Sequence, residues 1–292
     1  MSHCRVTTRS RWIQTRLIDV IGMELESPIN EGRNCWWSGD TERFAWLIDG
    51  EAYFTALREC MENARQEIII IGWDIDSRVS LIREENNHYY PSPLADTLEL
   101  LAEKNDELRV YVLSWDYSIF FGLERELLPA LRFDWKNRER LQFHLDSCHT
   151  TGACHHQKIV VVDGHTAFIG GLDLTKSRWD TPDHAANDRR RVDIDGGAYR
   201  PFHDVQAIVA GEAAIELRKL ANMRWKNATG QQLNDINTQL DKNNAVCWPS
   251  NIDFFAESVK TALAKTWVSP ESDKACQEVD LRHTSRHIAI CQ

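Results

Sequence analysis

Residues 155–173 read HHQKIVVVDGHTAFIGGLD, two apolar runs joined by an Asp-Gly dipeptide. Apolar runs separated in this way are typical of a β-hairpin, because Asp-Gly accepts the positive φ angles of a tight turn. If the first strand extends back to His156, then His156 and Lys158 point to one face, and Ile159 and Val161 point to the other. The stretch therefore predicts a hairpin that carries an imidazole beside an ammonium group at its start.

The residues at and just ahead of this hairpin are dense in metal-binding side chains. Cys148, His149, Cys154, His155 and His156 fall within nine positions. A structural zinc site needs about four ligands, usually presented by two knuckles or by one helix face. One compact cluster does not resemble that arrangement, so we expect no metal ion and no cofactor.

A His and a Lys on one surface suit phosphoryl chemistry. A neutral imidazole can attack phosphorus, and an ammonium group can offset charge on the nonbridging oxygens without a metal. On these two residues alone, an exposed His and Lys at a sheet edge without a chemical role is the favoured interpretation.

The pattern around this pair is longer. His156, Lys158 and Asp163 match HxKxxxxD, and the Gly-rich turn GGLD follows at 170–173. This pattern resembles the signature motif of the phospholipase D superfamily. The segments GWDIDSRV, LSWD, GGLDLTKSRWDTPDH and PFHDVQAIVAG look like the phosphatidylcholine-type branch of that superfamily. The resemblance covers about residues 44–292.

The resemblance implies a role for each motif residue. His156 takes the place of the nucleophile that forms a phosphohistidine, and Lys158 that of the group holding the phosphoryl oxygens. Asp204, in PFHDV, matches the carboxylate that orients the nucleophile in related enzymes. Asp163 shares the motif and so counts as a catalytic candidate, although its place at the Asp-Gly turn favours a role in fixing the hairpin.

Further residues are candidates for binding the phosphate or the rest of the substrate. Gly170 and Gly171 lack a β-carbon, which allows close approach of the backbone to a phosphate, although a simple turn uses glycines as well. Asp173 stands where other members of the superfamily commonly carry Asn. Strand ends and the loop after the motif contribute Trp73, Asp76, Trp115, Asp116, Arg178, Trp179 and Asp180. For the three tryptophans, core packing is an equal alternative.

Helix-like and strand-like segments alternate along the chain. Strands are predicted in QEIIIIG, RVYVLSW and RLQFHLD, and helices in AYFTALRECMENAR, PSPLADTLELL and FGLERELLPALRF. With the resemblance, this indicates an α/β fold, a phospholipase D-like layered α/β/α sandwich with a mixed, mostly buried β-sheet. We expect a loosely structured lead-in at 1–43 and a catalytic half-domain at 44–226. A linker and the truncated start of a second half are expected at 227–292.

Composition sets limits on the partners. The chain has 292 residues and a formal net charge of -10, so its field repels polyanions and makes nucleic acid an unexpected partner. No apolar run approaches the roughly 20 residues of a membrane span. Eight cysteines without the spacing of a disulfide scaffold indicate reduced thiols, and we expect a cytoplasmic protein that meets phospholipid at a membrane surface. Arg189, Arg190 and Arg191 are candidates for contacting anionic headgroups, although a solvated loop face is favoured.

Only one copy of the motif is present, whereas active members of the superfamily bring two copies together. Of the 11 histidines, His156 alone has a Lys two positions on. The favoured interpretation is a truncated phospholipase D-like phosphodiesterase acting on glycerophospholipids. The alternatives are a homodimeric, metal-independent nuclease that pairs two copies of His156 across a twofold axis, and an inactive phospholipid-binding fragment.

Overall fold

A computed structural model shows the arrangement of most of the chain after residue 30. The described residues are 31, 35–83, 93–116, 139–149, 154–236, 247–250, 252, 256–265, 279–280, 283–284 and 287–290. From residue 256 onward the structure describes the backbone only. Residues 1–30 of the lead-in expected at 1–43, and the helix predicted in FGLERELLPALRF, lie outside the described residues.

The described part of the chain contains three helices and eleven strands. The helices are α1 (Asp49–Glu62), α2 (Leu94–Lys104) and α3 (Glu212–Thr229). The strands are β1 (Cys35–Ile48), β2 (Glu67–Gly72), β3 (Arg109–Trp115), β4 (Leu141–Asp146), β5 (Ile159–Val162), β6 (Thr166–Gly170), β7 (Val205–Gly211), β8 (Ala256–Lys265), β9 (Val279–Asp280), β10 (His283–Thr284) and β11 (His287–Ile290). Among the described residues, no helix is long and apolar enough to cross a membrane.

The strands form one mixed sheet in the order β10-β11-β8-β1-β7-β6-β5-β2-β3-β4, with β9 paired to β8. Strands β2, β3 and β4 run parallel, whereas β5, β6, β7 and β1 each run antiparallel to the neighbour before them. The ends of β1, β2, β3, β4 and β6 therefore lie beside the starts of β5 and β7. This side of the sheet, from Ile48 on β1 to Asp146 on β4, is called the site edge below.

Helices cover both faces of the sheet, which confirms the predicted layered sandwich with a mostly buried sheet. Ile68 and Ile70 of β2 pack into the cluster that contains α1 and α2, and Ile69 and Ile71 pack into the one that contains α3. Because each face of β2 is covered by a helix layer, an uninterrupted run of isoleucines is stable there, without the alternation of a one-sided strand.

The predicted hairpin is confirmed as β5 and β6, and Asp163 closes it at the end opposite to the site edge. Its φ of 50° lies in the left-handed region, which Asp tolerates better than most residues. The carboxylate accepts hydrogen bonds from the backbone N–H groups of Arg65, Gln66 and Glu67 at 2.9, 2.7 and 3.0 Å. The recorded contacts of Asp163 therefore fix the start of β2 to the hairpin, and they correct its place among the catalytic candidates, since His156 is at the other end of β5.

Two boundaries differ from those expected. Strand β1 begins at Cys35, so residues 35–43 are not a loose lead-in. Their polar sequence shows no strand pattern, but pairing with both β7 and β8 stabilises a strand there. Near the other end, within the expected linker and truncated second half, Val279–Asp280 form strand β9 against β8.

Replacing Asp163 tests the structural role of its carboxylate. Asp163→Ala removes the acceptor for three N–H groups and strains the positive φ, so we expect the free energy of unfolding to fall by about 2 kcal/mol. Asp163→Asn keeps one oxygen and tolerates the same φ, so it should lose less than half of that. Urea unfolding measures both. Asp106→Ala, whose side chain is 96% exposed in a surface ion pair, should change stability by no more than about 0.5 kcal/mol; equal losses in all three variants would contradict this role.

Candidate active site

The centre of the site edge is a buried ion pair between Lys158 and Asp173. The Lys158 Nζ atom lies 3.0 Å from Asp173 Oδ2, and the two side chains are 4% and 3% exposed. Asp173 Oδ1 also accepts the backbone N–H groups of Trp73 at 3.0 Å and Asp74 at 3.3 Å. One carboxylate therefore connects the segment before β5, the turn after β6 and the end of β2.

His156 is exposed beside this pair. Strand β5 starts only at Ile159, but the alternation of side chains continues backward through the segment that precedes it. The Trp73 ring contacts the His156 ring at a centroid distance of 5.4 Å and has Lys158 Nζ at 5.7 Å, whereas Gln157 points elsewhere and accepts a hydrogen bond from Arg224. As predicted, His156 and Lys158 therefore point to the same side of their segment, toward Trp73.

The glycines at the end of β6 make room for protein groups. A β-carbon on Gly171 would overlap the carboxylate of Asp204, and one on Gly170 would lie 2.5 Å from the Val205 carbonyl oxygen. Asp204 Oδ1 accepts the N–H of Val205 at 2.8 Å. Residue 171 must therefore be Gly to let the Asp204 carboxylate lie against the backbone beside the ion pair. The sequence had suggested approach of a phosphate as the reason for this glycine.

At both Lys158 and Asp173, burial and the charge of the partner have opposite effects on the pKa. Burial raises the pKa of Asp173, and Lys158 opposes that rise. Burial lowers the pKa of Lys158, and its repulsion from Arg178 adds to the effect, whereas Asp173 and Asp204 oppose it. Asp173, Asp204 and Arg178 are thus all close enough to Lys158 to change its pKa.

A second buried network supports the segment that carries His156. Arg224 of α3, 1% exposed, donates hydrogen bonds to Asp146 at the end of β4 and to Gln157. His155 donates a hydrogen bond from Nε2 to the Cys148 carbonyl oxygen at 2.9 Å, and the pKa of His155 is lowered to about 4 by burial and by Arg224. The ring is therefore neutral at pH 7, with its single proton on Nε2.

Aromatic side chains line the site edge between β2 and β4. The Trp73 and Trp115 rings stack at 5.7 Å with 16° between their planes, and His149 lies 5.9 Å from Trp115. Asp116 follows Trp115 and donates its N–H to the Asp146 carbonyl oxygen at 2.9 Å. Trp73, Trp115 and Asp116 are thus brought to the same side of the sheet as His156.

Other candidate residues have structural contacts. Trp179 is 2% exposed and belongs to the core. Asp180, fully buried, accepts the N–H groups of Thr181 and Phe202 and pairs with Arg191 at 2.9 Å. These contacts correct the expectation that Trp179 and Asp180 touch substrate.

The charged candidates outside the central pair differ in their surroundings. Asp76, 2% exposed, pairs with Arg78 of the turn after β2 at 2.8 Å. Arg178 lies over the Phe202 ring at 4.9 Å. Arg191 is 1% exposed and so has no access to a membrane surface, whereas Arg190 is exposed and pairs with Asp188 and Glu51. The loop at 176–203 is therefore partly a buried structure, since it packs its own ion pairs inside.

One cluster was missed by the sequence reasoning. Asp49, His184 and His203 bring one ligand atom each within 4.8 Å of one another. Asp49, which is buried, lies 2.7 Å from His203 Nδ1 and 3.3 Å from His184 Nε2, and His184 Nδ1 faces Asp180 at 3.2 Å. One carboxylate and two imidazoles, one of them oriented by a further carboxylate, form a donor set that suits a divalent cation. No local motif marks it, because the three residues come from separate segments.

The central ion pair predicts strong coupling between its members. Asp173→Asn leaves the Lys158 cation without its buried counter-charge, so we expect a loss of about 3 kcal/mol in the free energy of unfolding. Lys158→Met should be milder, because Asp173, whose pKa is already raised by burial, can take up a proton. A double-mutant cycle by urea unfolding should give a coupling above about 1 kcal/mol.

The matched control is the surface pair Lys219 and Glu216, whose side chains are 64% and 16% exposed. Its cycle should give no more than about 0.5 kcal/mol. Additive losses at Lys158 and Asp173 would contradict the described interaction.

The neutral His155 ring predicts loss of stability in acid. The unfolded chain binds a proton near the ordinary value of 6.5, whereas the folded chain does so only near 4. The stabilisation is fully present above about pH 6.5 and is lost as the pH falls toward 4. Between pH 7 and 5 the free energy of unfolding should fall by about 2 kcal/mol through this group. His155→Gln should lack this part of the decrease; an identical pH dependence in urea unfolding would refute the assignment.

Comparisons with known proteins agree on one family. A family profile described as Phospholipase D matches residues 134–276, which include the whole stretch from His156 to Asp173. Phospholipase D zeta 1 of Arabidopsis thaliana is 31% identical over 227 residues, which cover 65% of this chain and 20% of the relative. Phospholipase D C of Dictyostelium discoideum is 27% identical over 210 residues, covering 62% and 12%. Phospholipase D alpha 1 of Oryza sativa subsp. japonica is 26% identical over 264 residues, covering 70% and 32%.

Two solved structures are also similar. The phospholipase D family member Nuc from Salmonella typhimurium aligns with a TM-score of 0.40 at 10% identity, over 66% of this chain and 99% of that one. Phosphatidylserine synthase from Haemophilus influenzae Rd KW20 aligns with a TM-score of 0.41 at 16% identity, over 64% and 38%.

The three named phospholipases are much longer than the part that this chain matches, which is 12% to 32% of their length. The matches include plant and Dictyostelium phospholipases D, and the matched region contains a single HxKxxxxD sequence. The profile and these relatives support membership of the phospholipase D superfamily for the matched region of the chain.

Proposed function

We propose that the chain supplies one half of a phosphodiesterase site that acts on glycerophospholipids through a phosphohistidine at His156. The observation that carries the proposal is the exposed His156 ring beside the buried Lys158–Asp173 pair at the site edge. Membership of the phospholipase D superfamily supports the reaction class, a hydrolase acting on phosphodiesters. The glycerophospholipid substrate rests on the phospholipases D among the relatives.

The proposed chemistry has two steps. The neutral His156 ring attacks phosphorus, a phosphorus–nitrogen bond forms, and the bond to the headgroup oxygen breaks. The departing oxygen takes up a proton and leaves as an alcohol. Water then attacks the phosphohistidine, or another alcohol does so in a transphosphatidylation, and the imidazole is released with phosphatidic acid or its ester.

Lys158 and Asp204 are assigned supporting roles in this proposal. The Lys158 ammonium group offsets charge on the nonbridging phosphoryl oxygens, and Asp173 keeps that ammonium group in position from its buried side. Asp204 lies beside the ion pair, over Gly171. A carboxylate at this point can accept a hydrogen bond from the N–H of the ring nitrogen that does not attack, which leaves the other nitrogen unprotonated and free to attack phosphorus.

The acid that protonates the leaving alcohol is assigned to a second histidine outside this motif. Only His156 carries the HxK pattern, and the relatives extend well beyond the matched part. A second half of a longer protein is the favoured source of that histidine, and a second copy of this chain is the alternative.

An activated diester tests the nucleophile without the missing acid. The p-nitrophenolate group of bis(p-nitrophenyl) phosphate leaves without being protonated, so the chain alone should release about one equivalent per chain in a burst, followed by little turnover. Mass spectrometry at alkaline pH should locate the phosphoryl adduct on His156.

The variants for this test are His156→Ala, which should abolish the burst, and His144→Ala, which should keep it because His144 is exposed on β4 and packs against Trp225. A burst of equal size in His156→Ala, or none in the unmodified chain, would refute the nucleophilic role. Choline release from phosphatidylcholine vesicles then tests the lipid substrate, and equal rates for the chain and His156→Ala would contradict it.

A further inference from the structure

Two cysteines that are distant in the sequence contact each other outside the candidate active site. Cys60 lies on α1 and is fully buried. Cys247 is half-buried in the segment at 247–252, which precedes β8 in the chain and packs against the cluster that contains α1. Neither thiol has a part in the chemistry proposed for His156.

The contacts between the two cysteines are reciprocal. Cys60 Sγ lies 3.6 Å from the Cys247 carbonyl oxygen, and Cys247 Sγ lies 3.8 Å from the Cys60 carbonyl oxygen. The two thiols are also close enough to shift each other's pKa. Each sulfur therefore lies against the other residue's backbone, so the two cysteines are close neighbours, as the short reach of a disulfide requires.

Other contacts hold the segment of Cys247 in place. The Thr166 hydroxyl, at the start of β6, donates to the Cys247 carbonyl oxygen at 2.7 Å. The Ser250 N–H donates to Glu59 Oε1 at 2.9 Å. The segment is thus fixed at Cys247 to β6 and at Ser250 to α1, and the approach of the two thiols is a property of the folded chain.

The two thiols differ in reactivity. The hydrogen bond from Cys60 lowers the pKa of Cys247, and burial and the Asp163 and Glu59 carboxylates oppose this. The same hydrogen bond and burial raise the pKa of Cys60. Cys247 therefore loses its thiol proton more readily than Cys60, and it is also the more accessible of the two.

We propose that Cys60 and Cys247 form a redox-sensitive pair that small disulfides such as oxidised glutathione convert to a disulfide, which fastens the segment before β8 to α1. The Cys247 thiolate attacks one sulfur of glutathione disulfide, forms a mixed disulfide and releases one glutathione thiolate. The Cys60 thiol then loses its proton, and its sulfur attacks Cys247 Sγ and expels the second glutathione. Two protein thiols and one glutathione disulfide thus become one protein disulfide and two glutathione molecules.

The full chain in glutathione redox buffers of increasing oxidised fraction tests the pair. After free thiols are blocked by alkylation, peptide mass spectrometry should find a Cys60–Cys247 crosslink before any crosslink among the other six cysteines. The crosslink closes a long loop of chain, so the oxidised form should melt about 5 °C higher than the reduced form. Reduction should reverse both changes.

Two single variants separate the steps. Cys60→Ser should leave Cys247 as a stable mixed disulfide with glutathione, and Cys35→Ser, which removes a different buried cysteine on β1, should keep the crosslink. If Cys60→Ser does not fold, the presence or absence of the Cys60–Cys247 crosslink in the unmodified chain still tests the proposal. The proposal is overturned if both thiols stay free throughout the series, if Cys247 stops at the mixed disulfide while Cys60 is intact, or if the crosslink appears only in urea.

Discussion

Asp173 holds the site edge together with a single carboxylate. One oxygen faces Lys158 and the other accepts two backbone N–H groups at the end of β2. A buried ammonium group without a counter-charge is strongly destabilising, and so is a buried carboxylate without donors. The Lys158 ammonium group and the Asp173 carboxylate therefore stabilise each other. Their contacts connect the segment before β5 to the end of β2 and to the turn after β6.

Buried charges are also paired on both sides of Lys158 and Asp173. Arg224 meets Asp146 and Gln157 on the β4 side, and Arg191 meets Asp180 in the loop after the motif. Each pair is buried and hydrogen-bonded, so each orders a segment that lacks regular secondary structure. The result is an exposed His156 on a rigid support, as the proposed role of a nucleophile that approaches one atom of a substrate from one direction requires.

Local sequence patterns anticipated the parts of this arrangement that depend on neighbouring residues. The hairpin of β5 and β6 and the shared side of His156 and Lys158 follow from alternation along one strand and from an Asp-Gly turn. Strand β1 was missed before Phe44, because its polar residues show no apolar alternation and its pairing partners are far away in the sequence. The cluster of Asp49, His184 and His203 was missed for the same reason.

Burial was the other quantity that sequence could not supply. Trp179, Asp180 and Arg191 were read as possible ligand contacts from their place in a polar loop, yet all three are buried. Gly171 was correctly marked as special, but the group that needs the space is Asp204.

The sequence by itself determined the superfamily, the layered α/β fold, and the position of the HxK pair, because motif spacing and apolar periodicity act over a few neighbouring residues. Only the tertiary structure decided which carboxylate neutralises Lys158, which charges are buried, and that Cys60 meets Cys247. Those contacts join residues on different elements, and their energies depend on distance and desolvation, which exist only once the sheet and its helices have packed.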